Sequence, residues 1–328
     1  MPRRGPPCET AGYGKQAACH GPARTAPDPG AVAGYRWRLT GVPAGRRPLL
    51  IAAKRGNVVR INLLGPVSVS VAGQSREIRS NKVRAMLATL ALDAGQAIST
   101  GDLAEELWAG TPLGNIRNAL QANATRLRKV LDGAARRPCD TTVLRAVHNG
   151  YLLDVSAECV DGNRFLDLAV QGTAALVHEP ARALRLLQSA LELWSGPALL
   201  DAGDGLRCRS AAALFDERRL TVWEDLSAAR LAVGDESRAI AELRRMVARY
   251  PLRERFCELL MLALYRSGRQ SEALEVFHRA RRYLDEELGV RPGDRLQRRH
   301  AEILARDPDL DRPAAVWAGG RAPAAAHR

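Results

Sequence analysis

The sequence predicts a mainly α protein with a small antiparallel β part: a winged helix-turn-helix segment over 59–155, then an all-helical, tetratricopeptide-like segment over 156–310. Three observations predict it. Between Thr100 and Leu153 the chain reads as helix, turn, basic helix and hairpin. Beyond Ser156 nearly every stretch has helical periodicity. Within that stretch Ala229, Gly234, Ala239 and Leu243 recur 34 residues later as Ala263, Gly268, Ala273 and Phe277. A 34-residue period is that of tetratricopeptide helix pairs, with small residues where helices meet and glycine in the turn.

The elements follow in order. Residues 1–58 lack hydrophobic periodicity and are rich in Pro, Gly, Ala and Arg, so they read as a disordered basic extension. No Met lies between Met1 and Met86, and the ordered pattern begins abruptly at Val59. One reading is therefore a true start at Val58 or Val59; the other is a basic arm adding phosphate contacts. Ile61, Leu63, Val67, Val69 and Val71 give strand-like alternation, broken by a turn at Ala72-Gly73. Lys82 to Asp93 reads as the first helix, buried through Val83, Leu87 and Leu90 and capped by Ser80 or Asn81. Ser99 or Thr100 caps a second helix that ends at Trp108, whose ring is expected in the core.

After a Gly/Pro turn, Asn115 to Leu131 forms the third helix, with Ile116, Leu120, Ala124, Leu127 and Leu131 on its buried stripe. Its opposite face carries Asn118, Gln121, Thr125 and Lys129, flanked by Arg117, Arg126 and Arg128. These side-chain types reach base edges and phosphates in a major groove. Asn118, Thr125 and Lys129 are expected to face the groove with Gln121 and Arg117 beside them, and Arg126 and Arg128 to grip phosphates. Asn149-Gly150, between two apolar β-rich runs, marks a hairpin wing with Arg145 and His148 as candidate backbone contacts. Seven helices follow, at 163–176, 180–194, 207–233, 237–249, 253–267, 271–288 and 294–305, before a tail over 311–328 that reads as disordered.

The net charge of +13 is unevenly placed: +8 over 1–58, +4 over 59–155, −1 over 156–310 and +2 over the tail. A basic front and neutral back suit a nucleic-acid reader joined to a protein-interaction domain. Arg outnumbers Lys 45 to 4, so part of the basic count reflects a GC-rich genome. No apolar run approaches the roughly 20 residues that span a bilayer. The six cysteines are scattered without a CxxC pair, which argues against a disulfide scaffold or zinc site and for reduced thiols in a cytoplasm. There is no GxSxG, HExxH or GxxxxGK[ST], and Gly12-Tyr-Gly-Lys15 lacks the first glycine at the required spacing. Glu272, Glu275, Asp285, Glu286 and Glu287 read as a solvated helix face. No catalytic residue, cofactor or metal site is therefore expected. The competing class is a helical-repeat scaffold with only non-specific DNA binding.

The chain resembles the Streptomyces antibiotic regulatory proteins over about 60–308. The resemblance rests on Leu64-Gly-Pro66, Leu103-Ala-Glu-Glu-Leu-Trp108, Ala119-Leu-Gln121, Arg126-Leu-Arg-Lys-Val-Leu131 and Gly150-Tyr151 in the front half. In the back half it rests on Ala190-Leu-Glu-Leu-Trp-Ser-Gly-Pro197, Tyr250-Pro-Leu-Arg-Glu-Arg255, Ala263-Leu-Tyr-Arg-Ser-Gly-Arg-Gln270 and Glu287-Leu-Gly-Val-Arg-Pro-Gly293. It implies an OmpR-like winged helix, a bacterial transcriptional activation domain, and binding to direct repeats of promoter double-stranded DNA near −35 regions of a secondary-metabolite cluster. It also implies contact with RNA polymerase and its sigma factor. Self-association on the DNA is expected alongside. The chain departs from the family at Leu152, where the wing often carries a basic residue, and in its long N-terminus.

Overall fold

The computed structural model describes residues 59–108, 114–132 and 143–317. The extension over 1–58, Cys8, Cys19 and Cys139, the turn after Trp108, the break at Gly133 and the tail from 318 lie outside the described residues. Three antiparallel strands open the fold: β1 (Val59–Asn62), β2 (Ser68–Val71) and β3 (Gln74–Arg76), in the order β1-β2-β3. Alternation buries Val59, Ile61, Val69 and Val71 on one face. Next come α1 (Asn81–Leu92), β4 (Ala97–Ser99), α2 (Thr100–Trp108) and α3 (Ile116–Asp132). The wing is β5 (Leu144–Val147) and β6 (Gly150–Leu153), and β6 lies between β4 and β5. Strand β4 has too few residues to show a period, and the sequence gives it no alternation to read.

Three local expectations are corrected. Ser80 stands at the N-cap of α1, but its hydroxyl makes no capping hydrogen bond. Of the two caps expected for α2, Ser99 is the one, its Oγ accepting the Asp102 amide at 3.1 Å. Ile116 is 41% exposed, because it sits in the first turn of α3 before the helix meets the core. The hairpin turn is His148-Asn149: Val147 pairs with Gly150, which is the first residue of β6. Asn149 takes the left-handed region at φ 56°. Gly150 is required by close approach, since a Cβ there would overlap the Ile98 carbonyl oxygen on β4.

Seven further helices follow: α4 (Asp161–Ala175), α5 (Pro180–Leu191), α6 (Leu206–Ala232), α7 (Glu236–Arg249), α8 (Glu254–Arg266), α9 (Gln270–Leu288) and α10 (Asp294–Ala305). The repeat seen in the sequence is a repeat of geometry. Ala229, Ala239, Leu243, Ala263 and Ala273 are fully buried. Gly234 and Gly268 have φ of 81° and 74°. Each is followed by the same 2.9 Å bond, from the Asp235 amide to the Arg230 carbonyl and from the Arg269 amide to the Leu264 carbonyl.

The hydrophobic core does not divide at residue 156. One cluster takes in β1, β2, α1–α6 and the wing root, through Ile61, Leu87, Leu127, Leu144, Phe165 and Phe215. A second begins at Ala228 and Leu231 near the end of α6 and runs to Val316. The long α6 therefore belongs to both. The expected tail also starts later than 311, because Ala315 and Val316 are buried and Trp317 packs against both clusters. Arginines grip this C-terminal strap by its carbonyls: Arg266 at Leu310 (2.8 Å), Arg299 at Ala315 (2.6 Å) and Arg255 at Val316 (3.0 Å). Arg255 and Arg299 in turn share the buried Glu258 carboxylate with Arg295.

Polar contacts seam the winged part to the helices. Glu106 on α2 is 7% exposed, and its carboxylate accepts the Arg207 amide at 3.0 Å and the Cys208 amide at 2.8 Å. Those are orphan donors of the first turn of α6, at the positive end of its dipole. Asp161 accepts the amides of Leu63 (2.6 Å) and Leu64 (3.2 Å), and Asp201 accepts that of Val67 (2.7 Å) while pairing with Arg84 at 3.1 Å. Arg207 adds an ion pair to Asp93 at 2.8 Å.

Glu106→Ala leaves buried donors without an acceptor and should lower unfolding free energy by about 3 kcal/mol in urea titrations, with Glu106→Gln in between. Asp161 gives a pH signature. Burial pushes its carboxyl up to about 6 against the amide hydrogen bonds that favour its charge. The folded chain then holds this proton more tightly than the unfolded chain, so its contribution is full below about pH 4 and fades as pH rises through about 6. The stability of the protein relative to Asp161→Asn should fall by up to about 3 kcal/mol between pH 4 and pH 7.

Candidate nucleic-acid interface

Helix α3 starts where Asn115 caps it. The Asn115 side-chain oxygen accepts the Asn118 amide at 3.0 Å, and its carbonyl accepts the Ala119 amide at 3.2 Å. The sequence placed Asn115 as the first helical residue; an Asn just before an apolar-periodic run is the signal that reads as a cap. Leu120, Asn123, Ala124, Leu127 and Leu131 are buried, and this stripe fixes which face points outward. Asn123 on it was not anticipated; its Oδ1 accepts Arg126 Nη1 at 3.4 Å.

Arg117, Asn118, Gln121, Thr125, Arg126 and Lys129 are all exposed on α3. The face has no carboxylate; Asp132, the one acid of the helix, closes its last turn. The chemistry is graded along the helix. Asn118 and Gln121 offer amides that pair with adenine edges, and Lys129 offers three donors. Thr125 Oγ1 spends its proton on the Gln121 carbonyl at 2.9 Å, so it meets an incoming group as an acceptor with a methyl beside it.

Arg128 sits differently from its neighbours. It is half-buried, and its Nε–H donates to the Leu144 carbonyl of β5 at 3.1 Å. The wing residues are at the surface. Arg145 is exposed on β5 and pairs with Asp154 at 3.1 Å, a contact between half-exposed groups that is easily exchanged for another anion. His148 is exposed at the turn. Beside it Asn149 is engaged: its carbonyl accepts the Thr100 amide at 2.9 Å and its side-chain oxygen the Thr100 hydroxyl at 3.0 Å. The structure thus brings the α3 residues together on one face. It joins that helix to the wing through Arg128 and joins the wing tip to the start of α2. Sequence reasoning missed both ties, because each pairs residues with no local pattern in common.

Residues 160–304 match the family described as the bacterial transcriptional activator domain. The chain is 57% identical over 269 residues to the transcriptional regulator RedD of Streptomyces coelicolor, covering 82% of this chain and 77% of that one. It is 36% identical over 258 residues to the regulatory protein DnrI of Streptomyces peucetius, covering 77% and 95%. Its fold is similar to that of Mycobacterium tuberculosis EmbR, solved in complex with a low-affinity phosphopeptide. The TM-score is 0.74 at 30% identity, over 79% of this chain and 68% of that one. A winged segment carrying a basic helix, fused to this activator domain and matching these regulators over most of its length, belongs to the Streptomyces antibiotic regulatory protein family of transcriptional activators.

Proposed function

We propose that this protein is a sequence-specific DNA-binding activator of a secondary-metabolite gene cluster in the cytoplasm, without catalytic activity of its own. It binds direct repeats near promoter −35 regions as two or more copies side by side, and contacts RNA polymerase and its sigma factor. The observation that carries this reading is the outward face of α3: six exposed polar and basic side chains with no carboxylate among them. A face of that composition attracts a polyanion and still carries groups able to discriminate bases. In this reading Asn118, Thr125 and Lys129 meet base edges, Gln121 and Arg117 lie beside them, and Arg126 grips a phosphate. Arg145 and His148 bring the wing to the backbone. The helical repeats, whose charges are nearly balanced, serve the neighbouring copy or the polymerase.

Genomic fragments captured by the full chain and sequenced should be enriched in a few promoters sharing a direct repeat. With Thr125→Ala/Lys129→Ala the enrichment should vanish, since each lost base contact removes about 1–3 kcal/mol of discrimination. Capture of fragments without preference, or enrichment that survives in the double variant, would contradict the reading. Arg126→Ala should weaken binding about equally across sequences. It should also reduce the slope of log affinity against log salt by about one, as measured by fluorescence anisotropy at several salt concentrations.

A further inference from the structure

The register of the wing leaves a gap that one arginine fills. Val147 pairs with Gly150 across a two-residue turn, so hydrogen-bonded pairs recur at Arg145–Leu152 and at Val143–Asp154, where the Asp154 amide reaches the Val143 carbonyl at 2.8 Å. Leu144 and Ala146 fall between them, and their backbone groups point away from β6. Among the described residues, β5 is the edge of its sheet, with no strand beyond it. The Leu144 carbonyl therefore needs a donor from outside the sheet. Arg128 Nε–H supplies it from α3 at 3.1 Å. The Leu144 side chain is buried in the core beneath, so the contact lies at the root of the wing.

We infer that Arg128 is a positioning residue, which sets the wing against α3 and acts on DNA through the wing rather than by gripping a phosphate itself. The inference rests on the DNA-binding reading above and deepens it. The other ties hold the tip, where Asn149 meets Thr100, and the middle strand, where β6 pairs with β4 and the Gly95 amide meets the Leu153 carbonyl at 2.9 Å. Only Arg128 among the described hydrogen bonds and ion pairs joins α3 itself to the wing. Arg145 and His148 are the groups whose place on a backbone depends on that angle. Arg145 lies one residue from the clamped carbonyl on the same strand.

The test is a double-variant cycle on the full chain, read as affinity for a promoter fragment that the unmodified protein enriches. Arg128→Ala should weaken binding about ten-fold when the wing is intact, and by less than about two-fold when Arg145→Ala/His148→Ala has already disabled the wing. A direct phosphate contact would cost the same in both backgrounds, and that result, or no loss in either, overturns the inference. If Arg128→Ala does not unfold cooperatively, Arg128→Lys replaces it. Lysine keeps the charge a phosphate needs but lacks Nε–H, so near-normal affinity in Arg128→Lys also overturns the inference. Amide hydrogen exchange without DNA separates this proposal from the function it rests on. In the variants exchange across β5 and β6 should quicken while that of α3 stays unchanged. Unchanged wing exchange refutes the clamp whether or not DNA binds; quickened exchange in a chain that selects no promoter refutes the DNA-binding reading and leaves the clamp standing.

Discussion

The carboxylate of Glu106 at the first turn of α6 is the contact on which the arrangement depends. A buried charge is costly unless it is fully engaged, and here the acid meets two helix-end amides that otherwise have no acceptor. The two needs are met only in one relative placement of α2 and α6. Asp161 and Asp201 repeat the device where the first sheet meets the helices, each accepting backbone amides from the chain following β1. The Leu63 and Leu64 carbonyls are taken in return by the amides of Leu199 (2.7 Å) and Ser195 (2.9 Å). Apolar packing alone would permit sliding across this seam; directional bonds to acids and amides do not. The winged segment is therefore built onto the helical array, and α3 holds a fixed attitude to it.

That fixity bears on how such a protein works. A recognition helix on a loose tether would report only that DNA is bound. Helix α3 shares a core with α4, α5 and much of α6, so in the proposed reading it would present the rest of the array at a set angle to the DNA. The long α6 passes from the first core into the second, and the C-terminal strap closes over that second core through arginines that reach its carbonyls. Trp317 and Trp223 touch both clusters, so the two cores meet without a linker between them.

What the sequence made legible is what depends on near neighbours. The helical stripe of α3 from Leu120 onward, its polar face, the presence of a hairpin at Asn149 and the 34-residue repeat are all local or periodic, and each stands in the structure. The errors share a different cause. The hairpin register was displaced by one residue, because a glycine beside an asparagine suggests a turn of both, whereas Gly150 is needed where β6 crosses Ile98. Ile116 looked like core because a periodic pattern does not say where a helix leaves its partner. The sequence gives Glu106 no role and reads Arg128 as a phosphate grip, because their partners lie 101 and 16 residues away. The strap over 311–317 is Pro- and Ala-rich and carries no period, so its order comes wholly from the arginines and the core it covers.

In the proposed reading the exposed face of α3 enters the DNA groove while the array stays outside it. That placement is tested most directly by placing a photo-cross-linking side chain at Thr125, and separately at Glu217 on α6, in the full chain bound to a selected promoter. Cross-links are expected from position 125 to bases within the repeated sequence and none from position 217. DNA bound with no cross-link from position 125, or with cross-links from position 217 alone, would contradict it.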